Sequence, residues 1–547
     1  VKLRCCQFWI ILATALLTGT WWVLYVPYKP DSILMAIPSD ATFVSVHKHL
    51  ATELDPLLGN QVVRSALVSA GVKESDLDEF ATNRVAHAWI NRLASDQTVV
   101  AYVPALGYQR KPAWICASWI GNESQKFRWK LFWFRPKMIQ QTATEYGRNI
   151  YSVRMRLSDP NQRLSVALTE GVLVGCLSED PTAARYLVQS FDRQYGRTSI
   201  VSDGTLAKAT ALLPPHPPHW GWIRTPRAIL PPRDIRSLLV YGVNTVTPSN
   251  LSLSLALNRA LPLAPDLADN PGIAPLLQTL GTSPDFTLIM PLIWMQALLH
   301  DQQALPLWVN SVLPLVGTNP ASSLAFISIL NHDHSGRIRG PLGNTMAQLT
   351  KGLRVPTLLL GMQVDSEEEV DRRISTTLDQ INSRYGSSLL SHPTRTPNGV
   401  VTLIEESRKG LYKKFEPDER VAWTYHHGWM FLASNAGVLK RLTGTAPTLG
   451  SSPAQVPAYT PWVTQKTPAE ASFWVDAVAT ARLINNAASA ATLALMISDS
   501  ESAQATRQNL ETLRGWVEKI QTFRDITATA HATNGVTHME INFRSVH

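Results

Sequence analysis

QRLSVALTEGVLVGCLSEDPTAARYLV, residues 162–188, alternates apolar and polar positions, breaks at Glu170-Gly171, turns apolar again and ends in a helical pattern. Period-two alternation reads as a strand, the break closing in glycine as a two-residue turn, and the tail as a short helix. ERVAWTYHHGWMFLASNAGVLKRLTG, residues 419–444, follows the same plan, with Gly428 standing where the first copy has Gly171. A strand, turn, strand and helix used twice predict an internal structural repeat.

Other elements recur around these two. A short apolar strand running into a helical pattern appears in ATFVSVHKHLATELDPLL from 41, DFTLIMPLIWMQALL from 285 and ASFWVDAVATARLI from 471. A hairpin pattern appears in SLAFISILNHDHSGRIRG from 323 and in ITATAHATNGVTHMEINF from 526, the latter with an Asn534-Gly535 turn. Helices are expected over 181–191, 366–385 and 502–523. The middle one opens on Ser366 with Glu367, Glu368 and Glu369 in its first turn and closes near Gly386, which suits the helix dipole and both caps.

The N-terminal region points to a membrane. FWIILATALLTGTWWVLYV, residues 8–26, contains no charge, and nineteen helical residues would span roughly 28 Å. Phe8, Trp9, Ile10, Leu16, Leu17, Trp21, Trp22, Leu24 and Tyr25 form the apolar and aromatic body of this expected anchor, with Lys2 and Arg4 before it. Charge bias and aromatic belt place the N-terminus in the cytosol and the bulk outside, in a bacterial periplasm or at a cell surface. An anchor is preferred to a cleaved signal because the run is long and ends in bulky aromatics. The fold class expected is α+β: one transmembrane helix, then antiparallel sheets covered by helices, with an internal repeat.

Composition fits a folded chain, since 45% of the 547 residues are hydrophobic and 17% charged. The net charge of +8 is too dilute over this length to argue for nucleic acid. LLPPHPPHWGWIRTPRAILPPRD, residues 212–234, carries seven prolines and reads as a connector. The division expected is a stub and anchor at 1–30, a first module at 31–211, the connector at 212–234, a second module at 235–443, a linker at 444–470, and a strand, helix and hairpin at 471–547 that complete the second module.

The membrane segment, the run Pro38-Ser39-Asp40-Ala41-Thr42-Phe43-Val44, the repeated strand-Gly-strand-helix units and the final hairpin together resemble a family of bacterial exported or membrane-anchored proteins described only as a domain of unknown function. The resemblance spans most of 38–443 by pattern. It implies a bacterial envelope location and carries over no catalytic residue.

Chemistry-bearing motifs are few. His332-Asp333-His334, His426-His427 and the pair His216 and His219 all sit in turn-like or proline-rich contexts, while His47 and His49 alternate on one strand face and could share a metal. FRWKLFWFRPK, residues 127–137, interleaves aromatics with cations, and strand periodicity sets Phe132 and Phe134 among Arg128 and Lys130 as a partner or lipid surface. Lys413 and Lys414 in RKGLYKKFE, residues 408–416, extend that option. Cys116 and Cys176 each fall in an expected strand, so one disulfide is conceivable, although two buried thiols are the blander reading. No GxSxG, Walker A, GxGxxG or HExxH motif occurs, and neither enzyme activity nor a cofactor is expected. The leading expectation is a non-catalytic scaffold or accessory subunit with protein partners in a membrane assembly. A lipid- or small-ligand-binding protein is the first alternative, and a hydrolase lacking a recognisable motif the second.

Overall fold

The computed structural model describes residues 12–14, 16–19, 25–69, 73–107, 110–134, 136–153, 161–192, 198–213, 217–224, 238–257, 284–292, 324–330, 357–407, 417–426, 428–444, 471–483, 485, 521, 523–533 and 535–545. The chain divides into two compact units, one formed by Val1–Pro248 with Leu253–Asn258, the other by Ser249–Ser252 with Arg259–His547.

The first unit contains β1 (Phe43–Lys48), then α1 (Leu50–Gly59), α2 (Gln61–Ser69), α3 (Glu74–Thr82) and α4 (Arg84–Leu93). There follow β2 (Gln97–Leu106), β3 (Lys111–Trp119), α5 (Glu123–Trp133), β4 (Ile139–Glu145), β5 (Arg148–Val153), β6 (Arg163–Thr169) and β7 (Val172–Ser178). After α6 (Ala184–Phe191) and α7 (Thr205–Leu212) come β8 (His219–Arg224), β9 (Leu238–Thr247) and β10 (Asn250–Leu257), the last with its residues from Leu253 on in this unit. Antiparallel pairing gives the order β9-β8-β1-β2-β3-β7-β6-β5-β4, with β10 beside β9.

The second unit contains β11 (Phe286–Pro291), β12 (Leu324–Leu330), β13 (Thr357–Gln363), α8 (Glu367–Tyr385), β14 (Leu389–Thr396) and β15 (Gly399–Glu406). It continues through β16 (Ala422–His426), β17 (Trp429–Ala433), α9 (Ala436–Leu442), β18 (Ala471–Asp476), β19 (Phe523–Thr533) and β20 (Val536–Ser545). Its order is β20-β19-β18-β11-β12-β13-β17-β16-β15-β14, again antiparallel throughout. Adding ten to each strand number converts the first order into the second. Likewise α5 and α8 follow the third strand of their units, and α6 and α9 follow the seventh.

Local sequence explains the shared hairpins. Glu170 and Gly171 turn the β6–β7 hairpin with φ of 40° and 87°, and Gly428 turns β16–β17 with φ of 77°. Two central residues with positive φ match the right-handed twist of the strands, and glycine takes that conformation without a Cβ clash. Each sheet then buries one face deeply. In the first unit Val44, Val46, Val99, Ala101, Ile115, Ala117 and Val174 are at most 1% exposed, and the α6 start is tied to this face by Ala184 N–H donating to Ser165 Oγ at 2.9 Å. In the second unit Leu359, Trp429 and Phe431 pack with Val438, Leu439 and Leu442 of α9. Each large side chain so buried stabilises the fold by about 1.5–3 kcal/mol.

Several expectations are corrected here. Strands dominate: twenty strands stand against nine α-helices among the described residues, so the balance is that of an antiparallel β protein with added helices. No described helix is long and apolar enough to cross a membrane. Within 8–26 the structure describes 12–14 and 16–19, which are helical, and Tyr25 and Val26; Phe8, Trp9, Ile10, Trp21, Trp22 and Leu24 lie outside the described residues. Val26, the last residue of the run, and Tyr28 just beyond it contact protein. Val26 is buried and its N–H donates to Asn122 Oδ1 at 2.8 Å, while Tyr28 donates to Asp96 Oδ1 at 3.1 Å and stands edge-on to Trp119. The single-pass membrane topology, the membrane as partner and the extracytoplasmic location derived from it are therefore withdrawn.

The proline-rich stretch at 212–234 also proves different. Six of its residues form β8, which pairs with β1 and β9 inside the first unit, and the prolines lie outside that strand. The division between units falls beyond it, near 248–259.

Candidate functional site: an apolar cavity beneath a long helix

The helix α8 is the element whose sequence pattern is clearest. Ser366 caps it by accepting from Glu369 N–H at 3.3 Å, and Gly386, at φ 63°, ends it in the left-handed conformation. Val370, Ile374 and Leu378, spaced by four, are 2%, 7% and 7% exposed and lie on Met362, Met430 and Trp423 of the sheet. Polar ties fix both ends. Near the start, Asp371 Oδ1 accepts from Trp423 Nε1 at 3.0 Å and from Tyr425 Oη at 2.8 Å. Near the end, Asn382 Oδ1 accepts from Leu389 N–H at 2.7 Å and its Nδ2 donates to Leu389 O at 2.9 Å.

Between those ties the helix does not fill the space below it. A cavity of about 380 Å³ lies under Ile374, Thr377, Leu378 and Ile381 of α8. Its floor is Leu358 and Leu360 of β13, Met430 and Leu432 of β17, Trp423 of β16 and Ile404 of β15. Among the described residues, only Thr377 and Ser434 bring side-chain oxygens to the lining. Thr377 Oγ1 donates to Arg373 O at 2.9 Å, and Ser434 Oγ accepts from Leu358 N–H at 3.0 Å. With those groups engaged, the site selects by shape and hydrophobicity. Tyr425, bonded to Asp371 at the start of α8, stays protonated, because burial and then the Asp371 carboxylate raise its pKa above the ordinary tyrosine value.

A second cluster lies on the half-exposed face of the first unit. His47 faces not His49 but His219, its partner across β1 and β8, and their Nδ1 atoms are 3.2 Å apart. Ser45 Oγ is 2.9 Å from His47 Nε2. Burial lowers the His47 pKa to about 4, with His219 adding to the effect. A hydroxyl beside an imidazole suggests a nucleophile and its base. Ser45 is 5% exposed and β1 is hydrogen-bonded on both sides, so β1 itself offers no free backbone amide to an oxyanion. His49 is exposed, with Nδ1 at 3.0 Å from Ser95 O. Among the described residues no three His, Cys, Asp or Glu side chains converge as a metal group.

The remaining sequence candidates scatter. FRWKLFW is helical, not extended, and forms most of α5; Arg128, Lys130, Phe132 and the following Phe134 are exposed, as are Trp129 and Trp133. Trp129, Phe132 and Trp133 fall at helical spacing but on an exposed side; Phe127 meets the Trp89 ring at 5.9 Å, and Phe132 stands edge-on to Trp133 at 5.2 Å. Lys413, Lys414, His216, His332, His334 and His427 lie outside the described residues. Leu16, Leu17 and Tyr25 are exposed. Cys116 and Cys176 are free thiols on neighbouring strands. Cys116 stands opposite Gly175, so the two cysteines are offset by one residue and project to opposite faces of the sheet. Burial pushes the Cys176 thiol up to about 12.

Compared with family models, curated proteins and solved structures, the chain matches none. The resemblance drawn from the sequence pattern thus brings no residue or activity to this site.

Proposed function

We propose that the protein is a non-catalytic binding protein that holds an apolar small molecule or an acyl chain beneath α8. The observation that carries this reading is the cavity itself, about 380 Å³ with walls of Leu, Ile, Met and Trp and with its few polar atoms already bonded. That volume falls within the range of small-molecule sites and would accept on the order of a dozen water-sized groups. A well-packed core does not leave such a space. The full chain titrated with parinaric acid, a fluorescent fatty acid, should show saturable binding of one equivalent, reversed by a non-fluorescent fatty acid. Absence of saturable binding would sink the proposal.

A second reading, the scaffold or accessory subunit, draws support from α5. Trp129, Phe132, Trp133 and Phe134 are 48%, 70%, 66% and 82% exposed, an apolar surface costly to leave in water. The native mass of the endogenous protein decides it: a heavier complex supports docking there, and a lone chain removes the reading.

A further inference from the structure

The first unit holds a feature that apolar-ligand binding in the second does not use. We propose that His47 and His219 form a site for a borderline divalent transition ion such as Zn²⁺, Ni²⁺ or Cu²⁺, with solvent completing the coordination. The geometry comes first. Two nitrogens on a tetrahedral zinc, at about 2.0–2.1 Å from the metal, stand roughly 3.3–3.4 Å apart. The two Nδ1 atoms are 3.2 Å apart with the rings tilted by 50°, so an ion enters with a shift of a few tenths of an ångström.

Ring orientation is built in from behind. Ser45, Gly221 and Tyr241 are neighbours across β1, β8 and β9, which sets the Tyr241 hydroxyl beside Ser45. The intervening residue must be glycine: a Cβ on Gly221 would come within 2.7 Å of Tyr241 Oη and 2.1 Å of Val44 O. When the Ser45 hydroxyl donates to Tyr241, its oxygen accepts from His47 Nε2–H, which leaves the His47 Nδ1 lone pair free to face His219. Such an outer partner on the far nitrogen is what orients metal-binding histidines.

His219 is 5% exposed, so an ion held at its Nδ1 is shielded from solvent on that side. His47 is only partly buried, which leaves a route for an ion and its waters, and the negative field of Glu53 reaches His219. Imidazole nitrogens suit zinc, nickel and copper better than magnesium or calcium.

The test uses the full chain with His332, His334 and His531 replaced by Gln, which removes two closely spaced histidines and the exposed member of the stacked His531–His538 pair, whose rings lie 5.3 Å apart. Titration with Zn²⁺ should show one equivalent that is lost in His47→Gln and in His219→Gln. Ser45→Ala should weaken that equivalent by about 10–100-fold without abolishing it. Loaded with Cu²⁺, the parent chain should give an electron paramagnetic resonance spectrum with two nitrogen ligands, a readout that needs no further substitution. Zinc binding identical in parent and histidine variants, or a copper spectrum without coordinated nitrogen, would overturn the site. An unchanged affinity in Ser45→Ala would overturn the positioning role of Ser45.

Discussion

Filling the cavity beneath α8 tests the binding proposal most directly. Leu360 and Leu432 face each other across β13 and β17 on its floor, so Leu360→Trp places an indole where the proposed ligand would lie. A dry, closed void of 380 Å³ would cost about 9 kcal/mol at roughly 24 cal/mol per Å³. The cavity is partly open, so that figure is a ceiling. If the added ring occupies about a quarter of the space, the gain is at most about 2 kcal/mol, or about 4 °C in Tm for a unit of this size. The parent chain at a hundredfold excess of parinaric acid over its Kd should gain about 2.7 kcal/mol, close to 5 °C. The variant should melt at or above the parent temperature without ligand and show no ligand-induced rise. A folded Leu360→Trp chain that binds the probe with parental affinity would refute the assignment of the ligand to this cavity.

Two further outcomes follow from particular residues. The raised pKa of Tyr425 contributes stability that is complete below its ordinary value near pH 10 and is lost as pH rises through the folded value, so alkaline unfolding should be less steep in Tyr425→Phe; parallel pH profiles would count against this. Gly171→Ala and Gly428→Ala change equivalent turn positions, but the first Cβ would meet the Trp119 ring at 2.7 Å and Val26 at 2.8 Å while the second meets nothing within 4 Å. Denaturant unfolding should therefore show a loss of about 1 kcal/mol for Gly428→Ala and about 2–4 kcal/mol for Gly171→Ala; equal losses would contradict the packing argument.

Legibility from sequence followed the distance over which each feature is encoded. The hairpins at 162–178 and 422–433 and the helix from Ser366 to Gly386 are local, and alternation, turn glycines and caps specify them within a few residues. The aromatic run at 127–133 misled because Phe127, Trp129, Leu131 and Trp133 alternate as a strand would, although most of the residue types also suit a helix. The proline-rich stretch hid β8, whose place depends on pairing with β1. Nor could the His47–His219 contact be read along the chain, since 172 residues separate its members. The apolar stripe of α8 was visible, but the space beneath it is an absence of atoms, set by how five separate elements meet.

The placement of β8 against β1 also bears on the order in which the polypeptide is made. β1 can pair with β2 early, but its other edge waits for β8, and β11 likewise waits for β18. At translation rates of about 5–20 residues per second, the 172 residues between His47 and His219 take roughly 9–35 s to emerge. Through that interval the nascent chain presents an apolar strand with unpaired amides and carbonyls, the kind of edge that recruits other chains. Newly made protein is thus most in need of chaperone cover before residue 219 has left the ribosome, and slowing elongation ahead of β8 would lengthen the exposure.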